Sequence, residues 1–260
     1  MASADQSAPI EILGVSVNAT SEADAIAWID NVLATNGRVC QLATYNPEYA
    51  IKARRNTAFA AALRRCELVT ADGIGISLAA RLRGRSIERV TGVRMLQILA
   101  ATGAPIFLLG AGPNVADLAA ERLREAESET RIVGVWSDGT PDPALDAEAI
   151  GRIRESGAHV VAVVRRTGPG ALDRAHRVPL SEAGVRIAVG VGGALDYWSG
   201  LTPTPPAAIR RFGLEWLWRL VREPKRWRRQ LALPQFAALA GMEAATERIR
   251  RARHFRDDTA

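Results

Sequence analysis

Asp72 is the residue of this sequence best placed to do chemistry: it ends an apolar, β-branched run, in the turn Thr70-Ala71-Asp72-Gly73. A carboxylate at a strand end projects into a cleft rather than into the sheet. Partial burial would raise its pKa toward neutrality, where it can take a proton from a hydroxyl nucleophile as a general base. The same residues also suit a plain Asp-Gly turn, or an N-cap of the helix that follows. Thr44 and Asn46 end the preceding run and would offer a hydroxyl and an amide to the same cleft, or act as turn residues before Pro47. Two glycine-rich turns follow later runs: Gly110-Ala111-Gly112-Pro113-Asn114 and Gly190-Val191-Gly192-Gly193, the second with Asp196 close behind. Such turns expose backbone N–H groups and a helix N-terminus to phosphate, or are simply tight turns. The first is an incomplete dinucleotide fingerprint. Val115 stands at the third small position, and no carboxylate lies at a strand end about 20 residues on.

A second feature is the segment Phe212 to Arg229, FGLEWLWRLVREPKRWRR, in which tryptophans and leucines share space with arginines. Between Arg210 and Arg229 there are eight Lys or Arg against Glu215 and Glu223, an excess equal to the formal net charge of the whole chain, +6. The remainder is therefore close to neutral, and the basicity is local. Arginines reach phosphates while indole rings settle at headgroup level, so the segment suits an anionic membrane or a diphosphate. An ordinary final helix with a solvated basic face is the plainer alternative. No nucleic-acid-binding motif accompanies the charge, and nucleic acid is not an expected partner.

These residues need elements to position them. Apolar, β-branched runs alternate with alanine-rich stretches of helical period: IEILGVSV then SEADAIAWIDNVLA, RVCQLATY then PEYAIKARRNTAFAAALRR, ELVTAD then IGISLAARLRG. PIFLLG then NVADLAAERLREAE, RIVGVW then PALDAEAIGRIRES, and HVVAVV before VRIAVGVGG continue the rhythm. Continuously apolar strands alternating with helices predict an α/β fold, Rossmann-like, with a mainly parallel sheet covered by helices on both faces. Ligands of such folds bind where strand C-termini meet helix N-termini, at TYNP (44–47), TADG (70–73), LLGAGPN (108–114), SDG (137–139) and GVGGALD (190–196). From Pro205 onward the period is helical only. The expected organisation is a core over 1–204 and a basic, helical, membrane-docking appendage over 205–260.

Cys40 and Cys66 stand alone, and His159, His176 and His254 are scattered, so neither a disulfide framework nor a metal site is expected. There is no secretory signal pattern and no run of about 18 apolar residues, which predicts a cytoplasmic chain. Asp-x-Asp, P-loop and G-x-S-x-G motifs are missing too, so any leaving diphosphate would have to be met by arginines and helix N-termini.

TYNPEY (44–49), LVTADGIGI (68–76), RVTG (89–92), FLLGAGPNVADLAA (107–120), GVGGALDYWSG (190–200) and above all GLEWLWRLVREPKRWRR (213–229) have a combined resemblance. From about Ile10 to Arg229 the chain resembles the WecG/TagA/CpsF glycosyltransferases, which attach a sugar from a nucleotide donor to a lipid-diphosphate-linked acceptor. The resemblance implies an inverting transfer from a UDP-sugar to a polyprenyl-diphosphate-linked sugar, with no cofactor and no obligatory metal. It implies Asp72 as catalytic base and Thr44 and Asn46 as substrate-cleft residues. Gly110, Gly112, Gly192, Gly193 and Asp196 join the substrate-binding set, as do Arg219, Arg222 and Arg226 of the membrane-docking segment. The protein would sit peripherally on the cytoplasmic face, on an anionic membrane surface, with room for a homo-oligomer.

Three departures from the family pattern stand out. A loop of the form G-x-P-x-Q-E is replaced by Arg165-Arg166-Thr167-Gly168-Pro169-Gly170-Ala171, Gly-x-Asp-Leu by Gly92-Val93-Arg94-Met95, and Arg-Ala-Pro by Thr202-Pro203-Thr204-Pro205-Pro206. Arg94, Arg165 and Arg166 would favour a more anionic donor such as a uronic acid. Loss of the donor site, leaving a non-catalytic membrane scaffold, is the alternative. A nucleotide-cofactor oxidoreductase rests on Gly110-Ala111-Gly112 alone and explains neither TADG nor the basic segment.

Overall fold

The computed structural model describes residues 8–18, 21–35, 37–137, 143–164 and 180–257. Six strands form one parallel sheet in the order β4-β3-β8-β7-β5-β6. They are β3 (Cys40–Tyr45), β4 (Leu68–Ala71), β5 (Pro105–Gly110), β6 (Arg131–Trp136), β7 (Val160–Val164) and β8 (Ile187–Gly190). Strand residues alternate between faces, and the core divides accordingly. On one face Leu42, Leu68, Leu108, Ala162 and Val189 pack with helices α1 (Glu22–Ala34), α5 (Gly92–Ala101) and α6 (Val115–Ala126). On the other, Ala43, Tyr45, Val69 and Ala71 meet α2 (Pro47–Arg55), α3 (Thr57–Arg64) and α4 (Ile74–Arg81), while Phe107, Val161 and Val163 meet α7 (Pro143–Ser156). Both faces are covered, as continuously apolar strands require.

Three local outcomes differ from the sequence pattern. The first apolar run does not enter the sheet. It folds into an antiparallel hairpin of β1 (Ile10–Ile12) and β2 (Val15–Val17) around Leu13-Gly14, because its alternating pattern buries only one face. The long helical stretch after Asn46 breaks at Asn56, which ends α2 and caps α3 by accepting from the Phe59 N–H at 2.9 Å. Helix α5 forms in a stretch for which the alternation of runs predicts no element.

After β8 come α8 (Ala194–Trp198), α9 (Ala207–Arg211), α10 (Glu215–Arg222), α11 (Trp227–Gln230) and the long α12 (Ala232–Asp257). Helix α12 is tied to the body of the protein. Phe236 and Ala240 are buried in the core beneath α2 and α4, and the buried Arg83 of the turn after α4 pairs with Glu243 and Glu247.

Gly110 ends β5 with φ at +99°, and a Cβ there would overlap the Val164 carbonyl oxygen of the adjacent strand. Gly110→Ala should therefore combine backbone strain with a collision against main chain and lower stability by about 2 kcal/mol or more. Urea unfolding of the two proteins checks this; an unchanged midpoint would mean that the strand end relaxes freely.

Candidate active site

At the carboxyl ends of β4, β3 and β8 the chain encloses a cavity of about 340 Å³. Strand β3 feeds a helix on one face and the adjacent β8 feeds a helix on the other, so the crevice lies at a topological switch point, where open parallel sheets bind ligands. TYNP, TADG and GVGGALD all contribute to its walls, and LLGAGPN does not.

Asp72 lines the cavity one residue beyond β4. Its backbone N–H donates to the Tyr45 carbonyl at 2.7 Å, which fixes the turn to the end of the neighbouring strand. The N-cap of α4 is Gly73, with no side-chain cap, so the Asp72 carboxyl is not spent on capping. Surrounding protein pushes this carboxyl up to about 6, against the pull of the Arg219 guanidinium, the Gly92 N–H that donates to it, and Arg89. Glu215 acts in the raising direction. The residue keeps partial solvent access through the cavity mouth. Gly92 can aim its N–H there because its backbone lies against Val191 at the end of β8, where a Cβ would stand 2.7 Å from the Val191 oxygen.

Asn46 also lines the cavity, and it caps α2 by accepting from the Tyr49 N–H at 2.9 Å. Capping uses only its oxygen, and its NH₂ is left as a donor. Gly193 is a wall residue; the position a Cβ would take is 2.9 Å from an Arg219 Nη, so glycine makes room for the guanidinium. Thr44 is buried within β3 beside Thr70 and does not reach the cavity. Gly110 and Gly112 lie away from it too, and Gly110 has the packing reason given above. Gly192 and Asp196 do not line the cavity, although Asp196 Oδ2 lies 3.4 Å from the position a Gly193 Cβ would take.

Arg219 enters from α10. Its guanidinium stacks 4.3 Å from the centre of the Tyr197 ring, and Nε and Nη2 are buried with no acceptor among the described residues. Buried unpaired donors on a cation cost free energy that an anionic oxygen would recover. Arg222 faces outward, 4.6 Å from the centre of the Trp218 ring, and does not line the cavity. Arg226 lies in a short 3-10 turn, with its side chain outside the described residues. The loop 165–171 and Asp138 are likewise outside the described residues.

Several wall residues carried no assigned role in the sequence: Arg89, Thr91, Tyr197, Glu215, Trp216 and Gln230. Arg89 and Thr91 lie within RVTG and Tyr197 within GGALDYW, motifs conspicuous enough to have flagged them. Arg94, the substitution that suggested an anionic donor, does line the cavity. It is committed to Glu22 in a fork of 2.6 and 2.9 Å, so its charge is largely answered from within the protein. Among the described residues no group of three His, Cys, Asp or Glu is arranged to hold a metal ion.

The model of the glycosyl transferase WecG/TagA/CpsF family matches residues 10–252. The chain is also 29% identical over 201 residues, 75% of its own length and 76% of the relative's, to a Bacillus spizizenii protein. That protein is named N-acetylglucosaminyldiphosphoundecaprenol N-acetyl-beta-D-mannosaminyltransferase.

A carboxyl raised from about 3.8 to about 6 on folding destabilises the native state when ionised. The native state binds this proton more tightly than the unfolded chain, so the penalty is present above pH 6, shrinks as pH falls toward 4 and is gone below it. Asp72→Asn should add about 1–2 kcal/mol of stability at pH 8 and almost none at pH 4. Urea midpoints at the two pH values measure it; equal gains at both would show that the carboxyl is not strained by burial.

Proposed function

This chain belongs to the glycosyl transferase WecG/TagA/CpsF family, and we propose that it transfers a sugar, with inversion, from a UDP-sugar to a polyprenyl-diphosphate-linked sugar on the cytoplasmic face of a membrane. The observation that carries the proposal is the pairing, within one cavity, of a carboxyl held near 6 and a guanidinium whose buried Nε and Nη2 have no acceptor among the described residues. At neutral pH Asp72 is mostly ionised yet basic enough to accept a proton. It takes the proton of an acceptor hydroxyl as that oxygen bonds to the donor's anomeric carbon. The bond from that carbon to the diphosphate breaks, and the electron pair leaves with UDP, where Arg219 and the Asn46 NH₂ meet the developing charge. The relative's name, an N-acetylmannosaminyl transfer to N-acetylglucosaminyl-diphosphoundecaprenol, supports an N-acetylhexosamine donor and this acceptor class. The pairing of Arg94 with Glu22 weighs against a uronic acid donor.

Helix α10 supports the membrane half of the proposal because it is turned inside out. Glu215 and Arg219 face the cavity, while Leu214, Leu217 and Val221 are exposed, and Val221 is 71% open to solvent. Phe212 and Trp227 flank this stripe at 69% and 54% exposure, with Arg222, Lys225 and Arg228 around it. An apolar stripe bordered by cations is suited to the headgroup boundary of an anionic bilayer. Among the described residues no helix is long and apolar enough to cross a membrane. In this view residues 205–231 dock and α12 secures them to the core.

UDP release from a panel of UDP-sugars, with vesicles carrying a polyprenyl-diphosphate-linked sugar, tests the chemistry. Turnover should fall on the acid side with a midpoint near 6, and Asp72→Asn should lower kcat by a factor of about 10²–10⁴. An Asp72→Asn enzyme of normal activity would rule out the base. Replacing Phe212, Val221 and Trp227 by Ser should reduce sedimentation with anionic vesicles by at least about tenfold, each buried side chain being worth about 1.5–3 kcal/mol. Undiminished binding would place the membrane contact elsewhere.

A further inference from the structure

Helix α10 has no fully buried residue, so its position depends on contacts made at a partly open surface. Its apolar stripe Leu214, Leu217 and Val221 points to solvent, Trp216, Trp218 and Leu220 are half-buried, and Arg219 stacks on the Tyr197 ring; two further contacts to the body of the protein are hydrogen-bonded. One contact is the Trp218 indole N–H, which donates to the Pro203 carbonyl at 3.3 Å at the exposed surface. A second lies deeper: Nη1 of Arg89 donates to both carboxylate oxygens of Glu215, at 3.1 and 3.2 Å, with both side chains about three-quarters buried.

Arg89 is a firm anchor. Its segment runs alongside β4 through a bridge to Ala71, the next N–H (Val90) donates to the Ala71 carbonyl at 2.9 Å, and the buried Thr70 hydroxyl donates to the Val90 carbonyl at 3.0 Å. The carboxylate of Glu215 is thereby fixed to the strand that leads to Asp72. Glu215 sits in the first turn of α10, where a negative charge also suits the helix dipole. Residues four apart share a helix face, so fixing Glu215 fixes the direction of Arg219.

We propose that Glu215 is a positioning residue: through its ion pair with Arg89 it seats α10 on the end of β4, and so holds the Arg219 guanidinium in the cavity wall, within electrostatic reach of Asp72. The proposal rests on reading the cavity as a sugar-nucleotide site, with Arg219 as a contact for the diphosphate. Arg229, paired with the cavity residue Glu48 at 2.7 and 3.0 Å, ties down the far end of the segment, but at 55% side-chain exposure it is the weaker anchor. A carboxylate in an arginine-rich segment is then a structural necessity, since an Arg or Lys at 215 would repel Arg89.

Two measurements on the full-length protein decide this. The first is amide hydrogen exchange over 213–222, which needs no substrate. Glu215→Ala should raise exchange in that segment about tenfold while the central strands stay protected. Arg89→Glu combined with Glu215→Arg should restore protection by re-forming the pair with reversed charges. Wild-type exchange in the Glu215→Ala protein would overturn the proposal. The second is UDP affinity, in a double-mutant cycle with Arg219→Met. Glu215→Ala should weaken UDP binding about tenfold in the wild-type background and have little effect once Arg219 is gone. Equal losses in both backgrounds would show that Glu215 does not act through Arg219, and would overturn the positioning role. Failure of wild-type protein to bind UDP would defeat the sugar-nucleotide reading, and the exchange result would still decide whether the ion pair seats the helix.

Discussion

Ionising a carboxyl inside protein costs free energy, and the surroundings of Asp72 are arranged to offset that cost in part. Complete neutralisation by a tight ion pair would leave an unreactive carboxylate. The Gly92 N–H, Arg219 and Arg89 instead lower a value that burial has raised, and the balance lies near 6. That balance depends on atoms from three parts of the chain: the end of β4, the stretch Arg89 to Gly92 that leads into α5, and helix α10. Small changes in how these elements meet would move the carboxyl toward an inert salt bridge or toward a neutral acid.

The sheet makes the meeting possible. Parallel strands all end at one edge of the sheet, so the turns that follow β3, β4 and β8 deliver Asn46, Asp72 and Gly193 to a common crevice. Close backbone approach then sets the finer distances. Gly92 lies against Val191, and Gly213, with φ at +69°, lets the chain before α10 come within reach of Ile74 in α4, where a Cβ would stand 2.6 Å from the Ile74 Cβ. A side chain at either place would push a cavity wall outward.

Helix α10 reverses the usual arrangement of a surface helix. Glu215 and Arg219, charges that would ordinarily face water, are turned toward the cavity, and Leu217 and Val221, which would ordinarily face the core, are turned toward solvent. Such a helix is suited to lie between two non-aqueous or partly dehydrated surroundings. In the proposed function these are the active site below and the bilayer above, so one short segment would bring the lipid-linked acceptor to the crevice and supply a cation to the leaving group. The ion pair of Glu215 with Arg89 joins this segment to the stretch bridged to β4, the strand that leads to Asp72.

Much of this was legible in the residues. Strands alternating with helices implied the parallel sheet, because runs such as HVVAVV can only be buried on both faces. TADG placed Asp72 at a strand end, and the motifs around it carried the family resemblance. The Arg-rich, Trp-rich segment announced a surface-seeking element. What could not be read was direction and distance. Thr44 and Asn46 are two residues apart and looked equivalent, yet Asn46 lies in the turn beyond the strand and lines the cavity while Thr44 stays within it, buried beside Thr70. Gly110 looked like a phosphate cradle, but its lack of a side chain serves the neighbouring strand. Arg219 and Arg222 were indistinguishable by composition, and only the docking of α10 sends one into the cavity and the other outward. Local periodicity follows from residue order alone, whereas the proximity of Arg89 to Glu215, 126 residues later, exists only once the tertiary structure has closed.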